Sequence, residues 1–443
     1  MNLNAIAKRF RLQERGTNVK TEVLAGLTTF VTMAYILIVQ PNAIMGGNAT
    51  MVDADGVLLT KEAIMVSCAL VSGIITILMG LYADMPFALS TGLGSNFMFG
   101  AMIQTGTCSL GRAMAITLIS GIIFVILSLV GIRDLIVRMM PKCLKLAIGC
   151  SIGFFIAYIG FKNSGIGSYT NGISMGNFKD PAVLLAIFGL FLIATLTAFK
   201  VNGAILIGIF AVTLIGIPMG ITTLPSQLVS VPSLENLGSL IFNFDFKGFF
   251  QPETFVLMFI VFVGDFFSTL GTVLGVGGKA GMLDENGDLP NIQKPFLVDA
   301  IGTVVGACTG NTTITTFVES SAGVEAGGRT GLTAVVTGLL YLCSFFAAPI
   351  FMMVPNAATG PALIFVGFLM VGGIVNVDFS DFTEAFGPFV MIMASAFMGS
   401  IAVGIAAGIL SYLFIKVVTG KFKEIHPGMY VLAVPLIMYF IFN

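Results

Sequence analysis

Hydrophobic residues occur along this chain in runs long enough to cross a lipid bilayer as helices, and the runs recur from Thr21 to Phe442. A helix that crosses the hydrocarbon core needs about 20 predominantly apolar residues. Glycine, proline and polar residues divide the runs into two sets of seven. The first set lies at 22–44, 62–82, 87–105, 111–131, 143–163, 181–199 and 202–219. The second set lies at 254–277, 295–311, 312–326, 330–354, 360–376, 384–398 and 400–419. The pattern therefore predicts an all-α polytopic membrane protein with 14 transmembrane segments.

Composition and charge agree with a membrane location. Of the 443 residues, 56% are hydrophobic and only 10% are charged, whereas soluble domains carry about 25% charged residues. Residues 1–21 contain no separate apolar stretch, which indicates a cytoplasmic lead and not a cleaved signal peptide. With that end inside, most of the 21 lysines and arginines fall in cytoplasmic loops. We therefore expect a multi-pass inner (plasma) membrane protein with a cytoplasmic N-terminus. The last apolar stretch, 427–442, is short enough to span the membrane or to lie at its interface.

A short pattern recurs at an offset of 217 residues. Gly111-Arg112 and Ser120-Gly121 in the first half match Gly328-Arg329 and Thr337-Gly338 in the second, each set opening a long apolar segment. An odd number of crossings per half inverts the second half relative to the first, as in many secondary transporters. The sequence therefore predicts a 7+7 inverted repeat.

Two segments are too polar and too rich in small residues for lipid-facing helices. The third contains FALSTGLGSNFMFG and the tenth contains GNTTITTFVESSAGVEAGG. In inverted-repeat transporters the substrate binds near the midplane, where such segments are broken helices. Close helix packing is the alternative explanation for the small residues. We expect broken third and tenth helices.

Two carboxylates lie far from any predicted loop: Asp265 in the eighth segment and Glu319 in the tenth. An ionisable group at that depth costs several kcal/mol unless it faces a cavity or a partner, so both are functional candidates. The alternative is a protonated or hydrogen-bonded packing acid. For Asp299 and Glu325 we expect structural roles at the interface, beside Lys294 and Arg329 respectively.

Asn96 in the third segment is either a binding residue or an amide that packs helices together. Phe97 and Phe317 flank the polar positions, although with 40 phenylalanines in the chain core filling is the simpler role for each. Carboxylates, an amide and free backbone N–H groups together suit a flat heterocycle such as a purine. A small anion fits less well, because these segments contain no lysine or arginine.

Other chemistries find little support in the residues. The six cysteines lie singly, without CxxC spacing, and His426 is the single histidine. The metalloprotease motif HExxH does not occur. We therefore expect no enzyme, no metal, no cofactor and no nucleic-acid partner.

Four stretches carry a specific resemblance: 14–41, 131–166, 315–338 and 425–435. In them the chain resembles the AzgA-like purine (hypoxanthine, guanine and adenine) permeases of the nucleobase-cation symporter-2, or xanthine/uracil permease, family. The resemblance implies the fourteen-helix inverted repeat, divided into a core domain and a gate domain. The implied parts are a lead at 1–21, core halves at 22–131 and 251–354, and gate halves at 132–250 and 355–443.

The resemblance also implies a substrate site between these domains. The predicted substrate-binding residues are Asn96, Phe97, Asp265, Ser268, Phe317, Val318 and Glu319. Asp265 and Glu319 are the predicted proton-coupling residues. Members of the family carry a second aspartate where this chain has Ser268, and further departures occur at Gln40, Thr91 and Val403.

The predicted function is the import of a purine nucleobase (guanine, hypoxanthine, adenine or xanthine) in symport with protons, by elevator-like or rocking alternating access. Two alternatives stay open: an anion transporter or channel of the same fold, and an uncoupled nucleobase uniporter. Membrane lipid is the expected surrounding, and the sequence leaves the oligomeric state open, a homodimer included.

Overall fold

The computed structural model describes residues 7–46, 48–130, 139–169, 173–227, 229–230, 237–247, 249–283 and 289–442. We number its elements along the chain. The first half contains α1 (Val19–Met33), α2 (Ile36–Met45), β1 (Thr50–Val52), β2 (Leu58–Thr60), α3 (Lys61–Leu78), β3 (Leu89–Thr91), α4 (Leu93–Gln104), α5 (Leu110–Val130), α6 (Lys142–Asn163), β4 (Gly167–Ser168), β5 (Ser174–Met175), α7 (Pro181–Ala198) and α8 (Ala204–Gly216). The second half contains α9 (Pro252–Lys279), α10 (Gln293–Cys308), β6 (Ile314–Thr316), α11 (Ser320–Glu325), α12 (Gly331–Ser344), α13 (Ala348–Met352), α14 (Asn356–Val371), α15 (Phe382–Phe397), α16 (Ile401–Val418) and α17 (Pro427–Phe442).

Most predicted segments coincide with these helices to within a few residues. Within the described part of the chain, nine helical stretches are long and apolar enough to cross a membrane, and three shorter apolar helices correspond to α8, α15 and α17. The predicted first segment is in fact two helices, α1 and α2, which are separated at Ala34 and Tyr35. The fold is thus mostly helical and polytopic, while the count of 14 spans stays a prediction.

Many large apolar side chains lie on the surface, and several charged and polar groups lie inside the protein. Large apolar side chains such as Phe250 and Val375 are 87% and 81% exposed. Charged and polar groups such as Glu22 and Asp299 are fully buried. An apolar exterior is what a lipid solvent favours, and polar groups avoid that solvent by facing the protein interior.

Segments three and ten meet as a pair of short antiparallel strands. Leu89 of β3 pairs with Thr316 of β6, and Thr91 pairs with Ile314. All six strand residues are buried, and each strand is followed by a short helix, α4 or α11. The pairing satisfies backbone groups that a broken helix would otherwise leave without hydrogen bonds in the membrane interior. The predicted interruptions are therefore present, and they are built from both halves of the chain.

The helices pack as two groups. Helices α1–α5 contact one another and α9–α12, whereas α6–α8 contact α14–α16. Some helices approach one another so closely that only glycine fits at the contact. For example, a Cβ at Gly338 of α12 would lie 2.6 Å from the carbonyl oxygen of Gly73 in α3. The site described below lies between the two groups.

Helix α17 packs against α9 of the first group and α16 of the second. Its start lies beside Met139, since a Cβ at Gly428 would be 2.6 Å from the Met139 sulfur. Its other end brings Tyr439 close to Ser400, just before α16 begins. The helix therefore contacts both helix groups, and whether it spans the membrane stays a question of topology.

The first and third resemblance motifs meet at the start of α12. The Glu22 carboxylate accepts hydrogen bonds from the backbone N–H groups of Arg329 (2.9 Å) and Thr333 (3.2 Å) and from the Thr333 hydroxyl (2.6 Å). A carboxylate at a helix N-terminus satisfies free N–H groups and complements the helix dipole. Gly328-Arg329 thus lies directly before the start of α12, and Gly111-Arg112 lies in the first turn of α5.

Candidate functional site

A cavity of about 780 Å³ lies between the two helix groups. Its lining includes Asp265 and Ser268 of α9, Thr315 of β6, Glu319, and Ser95 of α4. The second helix group contributes apolar side chains from α6, α14 and α16: Ile152, Phe365, Val366, Met370, Ile401 and Ile405. The carboxylates of the lining therefore come from the first helix group, whereas α6, α14 and α16 contribute only apolar side chains.

Glu319 immediately precedes α11 and is partly exposed to the cavity. The hydroxyl of Tyr35 donates a 2.6 Å hydrogen bond to Glu319 Oε1. Tyr35 itself is fully buried in the break between α1 and α2. Sequence reasoning missed Tyr35, because a tyrosine within an apolar run has no local feature that points to a partner 284 residues away.

Asp265 lines the cavity from α9 and is 5% exposed. Thr303 Oγ1 of α10 donates a 2.7 Å hydrogen bond to Asp265 Oδ2. The other carboxylate oxygen, Oδ1, is buried and has no hydrogen-bond partner among the described residues. Asp265 therefore has one oxygen held by Thr303 and one buried oxygen without a partner among the described residues.

Asp299 differs from the prediction. It is fully buried, and its Oδ1 accepts hydrogen bonds from the hydroxyls of Thr269 (2.8 Å) and Thr316 (3.0 Å). The predicted interfacial position beside Lys294 was wrong, because Lys294 lies instead over the ring of Tyr82, 5.9 Å from its centroid. Residues close in sequence on a helix point in different directions, and these two lie on different faces of α10.

Glu325 does lie at an exposed position with a cationic partner, as predicted. Lys279 donates a 2.8 Å hydrogen bond to Glu325, and both side chains are more than half exposed. The partner is therefore Lys279 and not the neighbouring Arg329.

Asn96 and Phe97 are buried and do not belong to the cavity lining. The Asn96 side chain donates to Thr91 Oγ1 (3.0 Å) and accepts from Thr312 Oγ1 (2.5 Å). These contacts join the start of α4 to β3 and to the loop before β6, which is the packing role named as the alternative. Direct contact of Asn96 or Phe97 with a substrate stays a prediction. Ser95, one residue earlier, faces the cavity instead.

The remaining predicted residues, Ser268, Phe317 and Val318, all line the cavity. Val318 is 55% exposed, and Phe317 is nearly buried beside it. Across the described part of the chain, the lining contains two carboxylates and no lysine, arginine or histidine. No three His, Cys, Asp or Glu side chains converge on a point there that could hold a metal ion. Such a wall can accept and donate hydrogen bonds around a flat polar molecule.

Known permeases resemble this chain over nearly its whole length. Residues 20–409 match the family Xan_ur_permease, described as a permease family. The chain is 39% identical to a putative permease of Methanocaldococcus jannaschii, over 100% of this chain and 99% of that protein. It is 38% identical to the guanine/hypoxanthine permease PbuG of Bacillus subtilis, over 98% of this chain and 99% of the relative. It is 34% identical to the adenine permease AdeP of Escherichia coli, over 98% of this chain and 95% of the relative.

Solved structures show the same fold at low identity. The transmembrane domain of the cyanobacterial bicarbonate transporter BicA superposes with a TM-score of 0.62 at 14% identity, covering 88% of this chain and 97% of that domain. The family match and the relatives confirm the resemblance found in the sequence motifs, and they are transporters, not enzymes. The chain is a multi-pass membrane protein that belongs to the Xan_ur_permease family.

Proposed function

We propose that this protein imports a purine nucleobase across the inner membrane in symport with protons. The observation that carries the proposal is the division of the cavity wall. Asp265 and Glu319 of the first helix group offer hydrogen-bond acceptors, and the second group contributes apolar side chains such as Phe365 and Ile405. A planar heterocycle with ring N–H groups can bond along one edge while its faces and far edge contact apolar atoms.

A purine is supported by two further observations. A cavity of about 780 Å³ falls in the range of small-molecule sites. Relatives over nearly the full length are named as guanine/hypoxanthine and adenine permeases. Guanine and hypoxanthine carry a ring N–H beside a carbonyl group, which complements a carboxylate flanked by hydroxyl donors such as Ser268.

An anion transporter of the same fold is less well supported. The likeness to a bicarbonate transporter concerns the fold alone. Glu319 and Asp265 would repel an anion at close range if ionised, and no cationic side chain among the described lining residues would offset that repulsion.

Proton coupling is supported by the hydrogen bonds around Asp265 and Asp299. Each acid has one buried carboxyl oxygen without a partner among the described residues. Thr269, which donates to Asp299, also shares a 2.9 Å hydrogen bond with Thr315 of the cavity wall. A buried oxygen without a partner is costly unless it carries a proton or meets water or substrate. Asp265 would therefore take up a proton when the cavity is open to one side and release it on the other.

The helix contacts support a seven-plus-seven inverted repeat. Helix α5 of the fourth segment packs on α10 of the ninth, and α12 of the eleventh packs on α3 of the second, which is the same contact shifted by seven segments. Strand β3 of the third segment pairs with β6 of the tenth. In the second group, α6 packs on α15 as α14 packs on α7, and α7 packs on α8 as α15 packs on α16. Each contact thus has a counterpart seven segments on. In this proposal α1–α5 and α9–α12 form a core domain, α6–α8 and α14–α16 form a gate domain, and the N-terminus is cytoplasmic.

Uptake by purified protein in proteoliposomes tests the function directly. Radiolabelled guanine, hypoxanthine, adenine and xanthine are supplied with and without an inward proton gradient, and bicarbonate is the comparison substrate. We expect accumulation of at least one purine that requires the gradient. Equilibration without accumulation would indicate a uniporter, and uptake of bicarbonate alone would contradict the proposal.

A further inference from the structure

Tyr35 is placed to control the carboxylate on which the proposed site depends. Its hydroxyl oxygen lies 2.6 Å from Glu319 Oε1, a separation typical of a hydrogen bond from a hydroxyl to a charged oxygen. Its side chain is fully buried. A buried tyrosine hydroxyl that meets a carboxylate at this distance allows that oxygen little freedom of position.

The backbone around Tyr35 keeps the hydroxyl in place. Helix α1 ends at Met33 and α2 begins at Ile36, so Tyr35 stands in the discontinuity of the first segment. Its carbonyl oxygen accepts a 2.9 Å hydrogen bond from the backbone N–H of Val39, which anchors it to α2. Tyr35, at the discontinuity between α1 and α2, thus contacts Glu319 in the second half of the chain.

We infer that Tyr35 is a positioning residue for the proposed substrate site: it holds Oε1 of Glu319 and leaves Oε2 for a ring N–H of the substrate. The inference rests on the proposed function, since it assigns Glu319 as the group that accepts the substrate's hydrogen bond. A carboxylate held at one oxygen presents the other in one direction, so it favours a ligand whose N–H approaches along that direction.

The other ionisable groups around Glu319 are few. Tyr341 of α12 is also fully buried nearby, Asp265 of α9 lines the same cavity, and the Lys279–Glu325 pair lies at the exposed end of α11. Among the described hydrogen bonds, only Tyr35 donates a side-chain hydrogen bond to Glu319. Its removal should therefore be felt mainly at that carboxylate.

The first test measures equilibrium binding of radiolabelled hypoxanthine and guanine to the purified full-length protein. Tyr35→Phe should weaken binding roughly tenfold, because it removes one hydrogen bond to a charged group. Tyr341→Phe is the matched control, as it deletes a hydroxyl that is equally buried but does not bond Glu319; we expect a change of less than about twofold. In a Glu319→Gln background, Tyr35→Phe should have little additional effect. Equal losses in both backgrounds would overturn the inference.

The second test needs no purine. Carbodiimides react with protonated carboxyl groups, and labelling of Glu319 can be followed by mass spectrometry across a pH series. Because Tyr35 stabilises the ionised carboxylate, labelling in Tyr35→Phe should persist to a pH about one unit higher than in the unmodified protein. If the labelling shifts in Tyr35→Phe but the unmodified protein binds no purine, the result would support the hydrogen bond from Tyr35 to Glu319 and contradict the proposed function. If the unmodified protein binds purine and Tyr35→Phe changes neither the affinity nor the labelling, the positioning role would be overturned and the proposed function would stand.

Discussion

Glu319 and Asp265 face one cavity, but the protein holds them differently. Glu319 is bonded to a tyrosine hydroxyl and is partly exposed, whereas Asp265 is nearly buried and keeps one oxygen without a partner. The first arrangement suits an ionised acceptor for substrate, and the second suits a group that takes up and releases a proton. Neutralising each residue should therefore change different steps of transport.

Replacing Glu319 by Gln should weaken purine binding at least tenfold. The amide substitutes a donor for an acceptor, and the mispaired contact inside the protein costs on the order of 1–3 kcal/mol. Equilibrium binding to purified protein measures the change. Glu325→Gln is a matched control, because its carboxylate is exposed and pairs with Lys279. Unchanged affinity in Glu319→Gln would contradict the assigned role.

Replacing Asp265 by Asn should separate binding from coupling. Asparagine resembles the protonated acid in shape, so substrate binding and exchange should persist within a few-fold. Accumulation driven by a proton gradient should be lost, because no proton can be carried at that position. Uptake and counterflow in the same proteoliposomes measure both properties. Accumulation at the normal level would transfer the coupling role to Glu319, to Asp299 or to another ion.

At the scale of elements, close approach of α12 to α3 depends on facing glycines. The backbone oxygen of Gly73 and the side chain of Ile77 occupy the space that a Cβ at Gly338 would need, at 2.6 and 2.7 Å. Small residues at such contacts allow the close packing that stabilises helix pairs in membranes. The repeated Ser-Gly and Thr-Gly pairs found in the sequence thus lie at helix contacts, where Gly121 of α5 faces α10 and Gly338 faces α3.

Gly338→Ala should destabilise the protein despite the better helix propensity of alanine. Overpacking of this kind costs about 1–3 kcal/mol, and it is measured by thermal unfolding in detergent. Gly275→Ala on α9 is the control, because a Cβ there meets nothing within 4 Å. An equal melting temperature for both variants would show that the contact between α3 and α12 accommodates the added methyl group.

At the scale of the whole molecule, alternating access requires the two helix groups to move relative to one another. Gly94 of α4 and Ile152 of α6 touch across the boundary, since a Cβ at Gly94 would lie 3.2 Å from Ile152 Cδ1. Both residues line the cavity. A covalent link between them would hold this conformation.

Cysteines introduced together at positions 94 and 152, in a background without the native cysteines, should be joined by a short bifunctional thiol reagent. Transport should then fall to near zero, while either single-cysteine variant treated in the same way retains activity. The measurement is purine uptake before and after treatment with a cleavable reagent, and after its cleavage. Full activity of the linked protein would argue against relative motion at this boundary.

The inverted arrangement also predicts sidedness. Asn48 follows α2 and Asn202 precedes α8, and both residues are exposed. The predicted topology places Asn48 outside and Asn202 inside. In a cysteine-free background, a membrane-impermeant thiol reagent added to intact cells should label Asn48→Cys and not Asn202→Cys. Labelling of both from outside would contradict an odd number of crossings between them.

The sequence by itself was sufficient for the membrane fold, the family and the two cavity acids. Run length and the near absence of charge are local properties, and they decide whether a segment can lie in lipid. The cost of burying Asp265 or Glu319 is likewise set by the residue and its segment, so both were found without a structure. The Gly, Ser and Thr content of segments three and ten similarly predicted their interruption.

Only the tertiary structure decided which side chains face the cavity and which groups pair with them. The rotation of short helix α4 about its axis exposes Ser95 and buries Asn96, and no composition reports such a rotation. Tyr35 and Glu319 are 284 residues apart, and Asp299 finds its donors on α9 and β6 instead of beside Lys294. These contacts join segments that are distant along the chain. Their partners are therefore set by the packing of distant segments, which local sequence does not encode.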